Sequence, residues 1–343
     1  MKNILLTGGA GYIGSHTAVL LVERGFNVIL FDNLANSNKN IVNIIGTITG
    51  VLPILVIGDV RDTLLLTQTI NQYKVDAVIH FAGLKSVSES IGDPLTYFDV
   101  NVAGTVSLLK AMKTSGCVKL VFSSSATVYG HPQTLPITEN HPTSPVNPYG
   151  ESKLQVEKIL ESLAHNNIES SVSKNSLNSI VLRYFNPVGA HQSGLIGESP
   201  NGVPNNLVPY ISMVAIKDLP HLNIFGSDYG TVDGTGVRDY VHVMDLASGH
   251  LAALERLTNP EDGIGFEIFN LGTGVGTSVM EMLRAFEKTT GFTIPYQIHA
   301  RRPGDVDCCF ASVAKANVEL KWRAVCSIDE MCTSAWNFQS SDS

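Results

Sequence analysis

Apolar residues fall in short β-rich runs that alternate with longer stretches of helical spacing, and the alternation begins with the first residues. Positions 3–6 predict a strand, a glycine turn follows, 13–23 predict a helix and 27–31 a second strand. The pattern then repeats as a strand at 53–57, a helix at 63–72, a strand at 77–81, a helix at 97–113 and a strand at 119–123. Such alternation predicts an α/β fold with a doubly wound parallel sheet covered by helices on both faces. The stretch 131–148 is rich in Pro, Thr, Asn and His without a period and reads as a surface loop. Helix resumes at 149–164, a polar excursion occupies 168–179, and 180–185 is a strand. From 187 onward Gly, Pro and Asn rise and the alternation weakens, although helices are expected at 207–217, 243–256 and 279–288. The expected organisation is a nucleotide-binding domain over 1–186 and a smaller substrate-binding lobe over 187–343, some of whose segments return to the first domain.

Charge narrows the function classes. With 23 Lys plus Arg against 31 Asp plus Glu, the net charge of −8 argues against a nucleic-acid surface. The five cysteines, at 117, 308, 309, 326 and 332, contain no CxxC spacing, so neither a zinc site nor a disulfide framework is indicated. They read as thiols in a reducing compartment. No apolar stretch approaches the length of a membrane span, and the first strand starts too early for a signal peptide. A cytoplasmic protein without a membrane partner is expected.

The run Gly8-Gly9-Ala10-Gly11-Tyr12-Ile13-Gly14 contains the G-x-G-x-x-G spacing between a predicted strand and a predicted helix. Glycine there lets a pyrophosphate lie against main-chain N–H groups at the helix N-terminus, which makes the first domain Rossmann-type. Asp32 closes the second strand, where a carboxylate accepts bonds from ribose hydroxyls and repels a 2′-phosphate; this favours NAD over NADP. Asp59, ending the third strand, is placed to bond an adenine amino group, or is a solvated turn residue. Phe81-Ala82-Gly83 ends the fourth strand at the same carboxyl edge, where small residues leave room for a flat ligand.

Tyr149 and Lys153 stand four apart at the start of a predicted helix, which puts phenol and ammonium on one face. A nearby cation favours the phenolate and so supplies a base near neutrality. A Tyr-x-x-x-Lys pair is common by chance; behind a nucleotide fold it carries weight. Ser123-Ser124-Ser125-Ala126-Thr127 ends the fifth strand, where a hydroxyl can share a hydrogen bond with base and substrate, or simply satisfy strand-end carbonyls.

Together these residues resemble the extended short-chain dehydrogenase/reductase family and, within it, the UDP-glucose (UDP-galactose) 4-epimerases. The resemblance spans nearly the whole chain: GGAGYIGSH at 8–16, FAGLKSV at 81–87, FSSSATVYG at 122–130, PYGESK at 148–153, RYFNPVGA at 183–190, PNNLVPYI at 204–211, GTGVRDYVHVMDLA at 234–247 and RRPGD at 301–305. It implies reversible 4-epimerisation of a UDP-hexose through a 4-keto intermediate with NAD kept bound. Tyr149 resembles the base, Lys153 the residue that lowers its pKa and bonds the nicotinamide ribose, and Ser125 the catalytic serine. Implied cofactor contacts are Gly8, Gly11, Tyr12, Ile13, Gly14, Asp32, Asn33, Asp59, Val60, Phe81, Ala82, Gly83, Lys85, Asn101, Ser123 and Tyr184, beside Tyr149 and Lys153. Implied UDP-sugar contacts are Lys85, Ser125, Ala126, Thr127, Tyr149, Phe185, Asn186, Asn206, Leu207, Asn223, Phe225, Arg238, Arg302, Asp305 and Cys309. The arginines would meet phosphates in charge-assisted bonds.

Two departures stand out: a polar insertion around 170–178, and Glu151 where a small or basic residue is usual. A 4,6-dehydratase shares fold, cofactor and Tyr-Lys pair, but dehydratases resemble Thr-Asp-Glu where this chain has Ser125-Ala126-Thr127, and elimination needs that acid and base. A non-catalytic NAD-binding regulator would tolerate loss of Tyr149 or Lys153; both are present. The family also implies a homodimer through helices 97–113 and 149–164. Cys309 stands four residues after Asp305, a position that borders the sugar pocket and is Tyr in members restricted to plain hexoses. The smaller thiol implies that UDP-N-acetylhexosamines are also accepted, the alternative being that Cys309 is a packed strand residue and that Cys308 or a neighbouring loop closes the space.

Overall fold

The computed structural model describes residues 2–169, 176–199, 202, 204–259, 264–302 and 304–341. Most of the polar insertion at 170–178 therefore lies outside the described residues. The chain divides into two compact units of interleaved segments. The first consists of Met1–Gly130, Pro142–Arg183 and Ala247–Phe269, the second of His131–His141, Tyr184–Leu246 and Asn270–Ser343.

A seven-stranded sheet runs in the order Phe266–Leu271, Asn178–Tyr184, Lys119–Ser125, Ala77–His80, Asn3–Thr7, Asn27–Asp32, Ile54–Ile57. The chain starts in an inner strand, steps outward twice to Ile54–Ile57, then crosses over and builds in the other direction; the pairings among the five strands from Ile54–Ile57 to Lys119–Ser125 are parallel. The order thus reverses between Asn3–Thr7 and Ala77–His80. In open sheets of this kind ligands bind beyond the carboxyl ends of the strands at that reversal, which here falls at Gly8 and Phe81. Leu5, Ile29, Val78, Leu120, Phe122 and Val181 pack with Leu66, Ile70, Leu108, Met112, Val156 and Leu160 from the helices into one core.

The helix expected at 97–113 is a composite. Pro94–Tyr97 leads into a π-helical stretch at Phe98–Ala103, and regular helix follows over Gly104–Ser115. The wide turn displaces the usual backbone bonding, and the Thr105 hydroxyl takes up the Asn101 carbonyl at 2.5 Å. Such turns recur where a helix must re-aim a functional side chain, and Asn101 is turned inward and buried. Further helices at Ile41–Thr49, Val87–Gly92 and Ile328–Ser341 were not anticipated.

The second unit has helices Leu207–Ala215, Val279–Thr290 and Ile328–Ser341 packed through Val208, Ile211, Met282, Phe286 and Met331. Around them are short ladders: Asn186–Val188 with Tyr240–His242, Leu222–Phe225 with Tyr296–His299, and Val237–Arg238 between Thr277–Ser278 and Cys308–Cys309. Fully buried Asp239 ties them together. Its Oδ1 accepts from the amide and hydroxyl of Thr273, both at 2.7 Å, and its Oδ2 from the amides of Gly274 at 3.0 Å and Ala311 at 3.1 Å. All four partners are donors, so the site requires an acceptor on both oxygens; an asparagine would aim its NH₂ at two N–H groups. Asp239→Asn should therefore cost on the order of 3 kcal/mol or more of stability, read from the midpoint of a denaturant titration; a midpoint within error of the parent's would contradict this bonding.

Candidate functional site

The glycine turn lies against the loop that follows Ala77–His80. The Thr7 carbonyl accepts from the amides of both Phe81 and Ala82 at 2.9 Å, and a Cβ on Gly8, whose φ is +69°, would fall 2.6 Å from the Ala82 nitrogen. A Cβ on Gly14 would fall 2.5 Å from the Gly8 carbonyl oxygen. Only glycine permits these approaches. Gly11 caps the helix Tyr12–Glu23 in extended conformation, with no side-chain cap and no acid in the first turn. Tyr12 and Ile13 begin that helix, and their carbonyls take the side chains of Ser15, His16 and Thr17. The bare positive end of the helix is a setting for an anion.

Asp32 is already at work in the fold. Its carboxylate accepts from the Ala10 amide at 3.0 Å and from the Leu34 amide and Ser37 hydroxyl at 2.9 Å, anchoring the glycine turn to the second strand. Asp59 accepts both Nε and Nη2 of Arg61 at 2.8 Å and the Asn33 amide at 3.1 Å; the guanidinium holds its carboxyl well below the usual range. Asp59 is thus paired with Arg61 and Asn33 rather than simply solvated at the turn. Val60 is buried, and Phe81 packs at 4.7 Å on the His250 ring. The Asn101 amide is fully committed: Oδ1 accepts from the Leu84 amide at 2.8 Å, and Nδ2 donates to the Leu84 carbonyl at 3.1 Å and to Ser152 Oγ at 2.9 Å. Asn101 thereby clamps the loop carrying Gly83 and Lys85 to the helix that carries Tyr149.

Beneath it lies His80, fully buried and pushed down to about 3 by burial and by the Lys153 charge. Thr105 spends its proton on the Asn101 carbonyl, so His80 Nε2 donates to Thr105 Oγ1 at 2.9 Å and Nδ1 accepts from Thr7 Oγ1 at 2.6 Å. One neutral tautomer is fixed.

The helix Pro148–Glu169 presents Tyr149, Lys153 and Glu157 on one buried face at four-residue spacing. Tyr149 stands beside Ser125, whose side chain favours the ionised phenol. Ser125 Oγ accepts from the Thr127 amide at 3.2 Å and the Thr127 hydroxyl at 3.0 Å, which leaves its own O–H to donate. Lys153 Nζ donates to the Ser123 carbonyl at 3.0 Å and sits 5.0 Å from the centre of the Phe122 ring, while Ser123 Oγ meets His250 Nε2 at 3.1 Å. Burial pushes the Tyr149 phenol above its ordinary value and the Ser125 bond brings it partly back. This is opposite to the depression expected from Lys153, because desolvation outweighs the spacing. Burial also lowers Lys153, to about 8, although Glu157 opposes the fall.

The second unit assembles the basic residues. Arg238 Nη1 donates to the carbonyls of Val237 at 2.9 Å and Val306 at 2.8 Å, and its Nη2 lies 3.5 Å from Asp305 Oδ1. The other Asp305 oxygen accepts from Arg302 Nε at 2.9 Å, so one carboxylate orients both guanidinium groups. Arg302 stacks 5.0 Å over the half-exposed Phe225 ring. Asn223 joins Tyr210 Oη at 3.1 Å to His299 Nε2 at 2.9 Å. Cys309 pairs with Arg238 in the ladder, and burial pushes its thiol up to about 11. Tyr184 ends a sheet strand, Phe185 is buried, and the Asn186 amide donates to the Asp239 carbonyl at 2.9 Å. Asn206 stands just before the helix opened by Leu207 and donates to Glu198 at 2.6 Å. The unit thus offers two aligned cations and an aromatic ring, a set suited to phosphates and a base.

The family described as GDP-mannose 4,6 dehydratase matches residues 5–335. The UDP-glucose 4-epimerase of Bacillus subtilis (strain 168) is 50% identical over 339 residues, which are 99% of this chain and 97% of that protein. The chain belongs to the UDP-glucose 4-epimerase family. The epimerase crystal structure from Stenotrophomonas maltophila, with bound NAD and formylated UDP-arabinopyranose, has a TM-score of 0.95 and 47% identity and covers 100% of this chain and 99% of its own. That from Bifidobacterium longum, in complex with NAD+ and UDP, has a TM-score of 0.93 and 46% identity and covers 99% of each. Within this epimerase family framework, sequence reasoning had picked out the glycine turn, the Tyr-Lys pair and the arginines. It missed His80, Glu157, Arg183 and Asp239, whose partners lie far along the chain. A four-residue step beyond Lys153 was the available signal for Glu157.

Lys153 gives a pH-dependent test. Its folded value of about 8 lies below 10.5, so the fold is penalised while the ammonium persists, and the penalty fades as pH rises from 8 towards 10.5. The difference corresponds to about 3 kcal/mol, more than the roughly 1 kcal/mol bond to the Ser123 carbonyl. Lys153→Met should raise the melting temperature of the ligand-free protein at neutral pH, with the gain narrowing above pH 8. A constant difference across that range would contradict the assignment.

Proposed function

We propose that the chain is an NAD-dependent epimerase that interconverts UDP-glucose and UDP-galactose through a 4-keto intermediate. The observation that carries the reading is the placement of buried Tyr149 beside Ser125 at the end of the strand Lys119–Ser125, with Lys153 one helical turn on and Ala126 and Thr127 alongside. A 4,6-dehydratase would need a further acid and base at the last two positions; alanine offers neither, and the Thr127 hydroxyl is spent on Ser125.

The residues fit NAD. Collisions that a Cβ would meet at Gly8 and Gly14, and the uncapped helix start at Gly11, form a cradle for a pyrophosphate. Asp32 would accept the adenosine ribose hydroxyls while keeping hold of Ala10, and its charge disfavours NADP. Asn33, Asp59 and Val60 would flank the adenine, Phe81 to Gly83, Lys85, Asn101 and Tyr184 the remainder, and Lys153 the nicotinamide ribose. Bound there, NAD supplies the reversible two-electron oxidation of C4.

Tyr149 takes the 4′-hydroxyl proton as the ketone forms and returns it to the same oxygen when the sugar, having turned about its diphosphate, is reduced on the opposite face of C4. Ser125, its acceptor pairs filled by Thr127, donates to the reacting oxygen or to the phenolate. Arg238 and Arg302, oriented by Asp305, bind the diphosphate; Phe225 and Asn223 serve the uracil; Asn186, Asn206 and Leu207 complete the hold. Firm binding far from the chemistry, with a loosely held hexose, is what a ring that must flip requires.

A cytoplasmic homodimer accompanies this reading. Phe98, Val102, Ala103 and Val106, with Lys110 and Gln155, line an apolar groove on the helices expected to pair. Among the described residues no helix is long and apolar enough to cross a membrane.

Tyr149→Phe removes the proton acceptor and keeps the ring, so kcat should fall roughly 10²- to 10⁴-fold while the Kd for UDP-glucose stays within about threefold. Near-parental conversion of UDP-galactose would remove Tyr149 from the role of base. The thiol of Cys309 leaves space for a 2-N-acetyl group in either sugar orientation, which favours UDP-N-acetylglucosamine and UDP-N-acetylgalactosamine as further substrates. Overpacking by ~1–3 kcal/mol implies that Cys309→Tyr lowers kcat/KM for the N-acetyl substrates about 5- to 150-fold and spares UDP-galactose. Equal losses on both, or no N-acetyl turnover by the parent, would refute the volume argument.

A further inference from the structure

Three consecutive serines at the end of Lys119–Ser125 are bound by three residues of one helix face. Ser125 stands beside Tyr149, the Ser123 carbonyl accepts from Lys153 at 3.0 Å, and Ser124 Oγ donates to Glu157 Oε1 at 2.5 Å. The first two contacts belong to the reaction proposed above; Glu157 has no part in it. Yet Glu157 is only 3% exposed and makes a two-pronged ion pair with the equally buried Arg183, Nε to Oε1 at 3.0 Å and Nη2 to Oε2 at 2.5 Å. Arg183 in turn stacks 4.9 Å over Tyr129. A buried ion pair gives a fold little net stability compared with apolar residues of similar volume. Its place beside a buried ammonium gives this one a different use. Among the described residues Lys153 directly meets a carbonyl and the Phe122 ring face, both weaker than a carboxylate, and nearby His80 is held neutral. The carboxylate is also the influence that opposes the depression of Lys153 by burial.

We propose that Glu157 is a positioning residue of the reaction: its carboxylate, one helical turn from Lys153, keeps the ammonium charged beside Tyr149 and, through Ser124, fixes the strand end from which Ser125 meets the phenol. The proposal rests on the reading of Tyr149 and Lys153 as the proton-handling pair. It separates two effects. The charge acts on the ionisation of Tyr149 in the holoenzyme, where a nicotinamide cation would draw the phenol below its ligand-free value and into the range in which Lys153 is still charged; there a neutral lysine no longer stabilises the phenolate. The Ser124 bond acts on alignment alone.

The test uses the holoenzyme and two readouts: the pH profile of kcat with UDP-galactose, and the ultraviolet difference titration of Tyr149, each protein measured against its own Tyr149→Phe counterpart. Glu157→Gln should move both curves upward by about one pH unit, the lower end of the effect of a nearby opposite charge. Because that variant leaves Arg183 buried without its carboxylate, Glu157→Gln with Arg183→Leu serves as a fully neutral version, and it should move the curves likewise. Ser124→Ala should lower kcat and leave both curves in place. Unmoved curves in both glutamine variants, or an equal shift in Ser124→Ala, would overturn the proposal. If the parent enzyme fails to convert UDP-galactose at all, the reading of the reaction fails, and the Tyr149 titration then decides the Glu157 assignment by itself.

Discussion

Keeping an ammonium inside a dry interior is the constraint around which the first unit is arranged. An isolated cation there is strongly disfavoured, and the chain answers with a strand-end carbonyl, an aromatic face and a carboxylate at successive positions around Lys153. Each answer commits another element. The carbonyl belongs to the strand that presents Ser125, the carboxylate is held by Arg183 on the neighbouring strand, and the field of the ammonium helps keep His80 neutral. Neutral His80 then joins the Thr7 hydroxyl, beside the glycine turn, to Thr105 and so to the Asn101 clamp. The glycine turn and the helix of Tyr149 and Lys153 are one bonded assembly.

Much of this was legible in the residues. The glycine spacing announced itself because glycine is required there by backbone contact, and a backbone contact leaves the same mark in every sequence that makes it. The Tyr149–Lys153 pair was legible because helical spacing is local. Less visible was anything that depended on a distant partner. Asp59 reads as an open carboxylate until Arg61 and Asn33 close on it. The π-helical turn at Phe98–Ala103 keeps the composition of ordinary helix and differs only in what Thr105 and Asn101 do. Ile41–Thr49 is so rich in β-branched residues that propensity favours strand; its end at Gly50, in left-handed conformation, belongs to a helix nonetheless. The direction of the Tyr149 shift was misjudged for a related reason. Sequence shows which charges are near, whereas burial is a property of everything packed around them.

A family described by a dehydratase and a set of relatives that are epimerases are compatible for a structural reason. The match over residues 5–335 takes in the sheet, the glycine turn and the helix that carries Tyr149 and Lys153. On the function proposed above, what would divert the ketone towards elimination is an acid and a base after Ser125, and here those two side chains are a methyl group and a hydroxyl turned back on that serine. The second unit adds a separate requirement, two guanidinium groups held by Asp305, which concerns the handle of the substrate rather than its reacting carbon.

The three serines also bear on how this sequence can change over time. A strand advances its side chains with a period of two residues, while the helix face repeats at roughly four. The two repeats coincide only in one register. Inserting or deleting a residue between Lys119 and Ser125, or between Tyr149 and Glu157, would hand each helix residue the wrong serine and turn the strand's apolar side chains to the wrong face. Substitution can be tested there one position at a time, but a change of length cannot. Gain and loss of residues is thereby directed to segments outside this register.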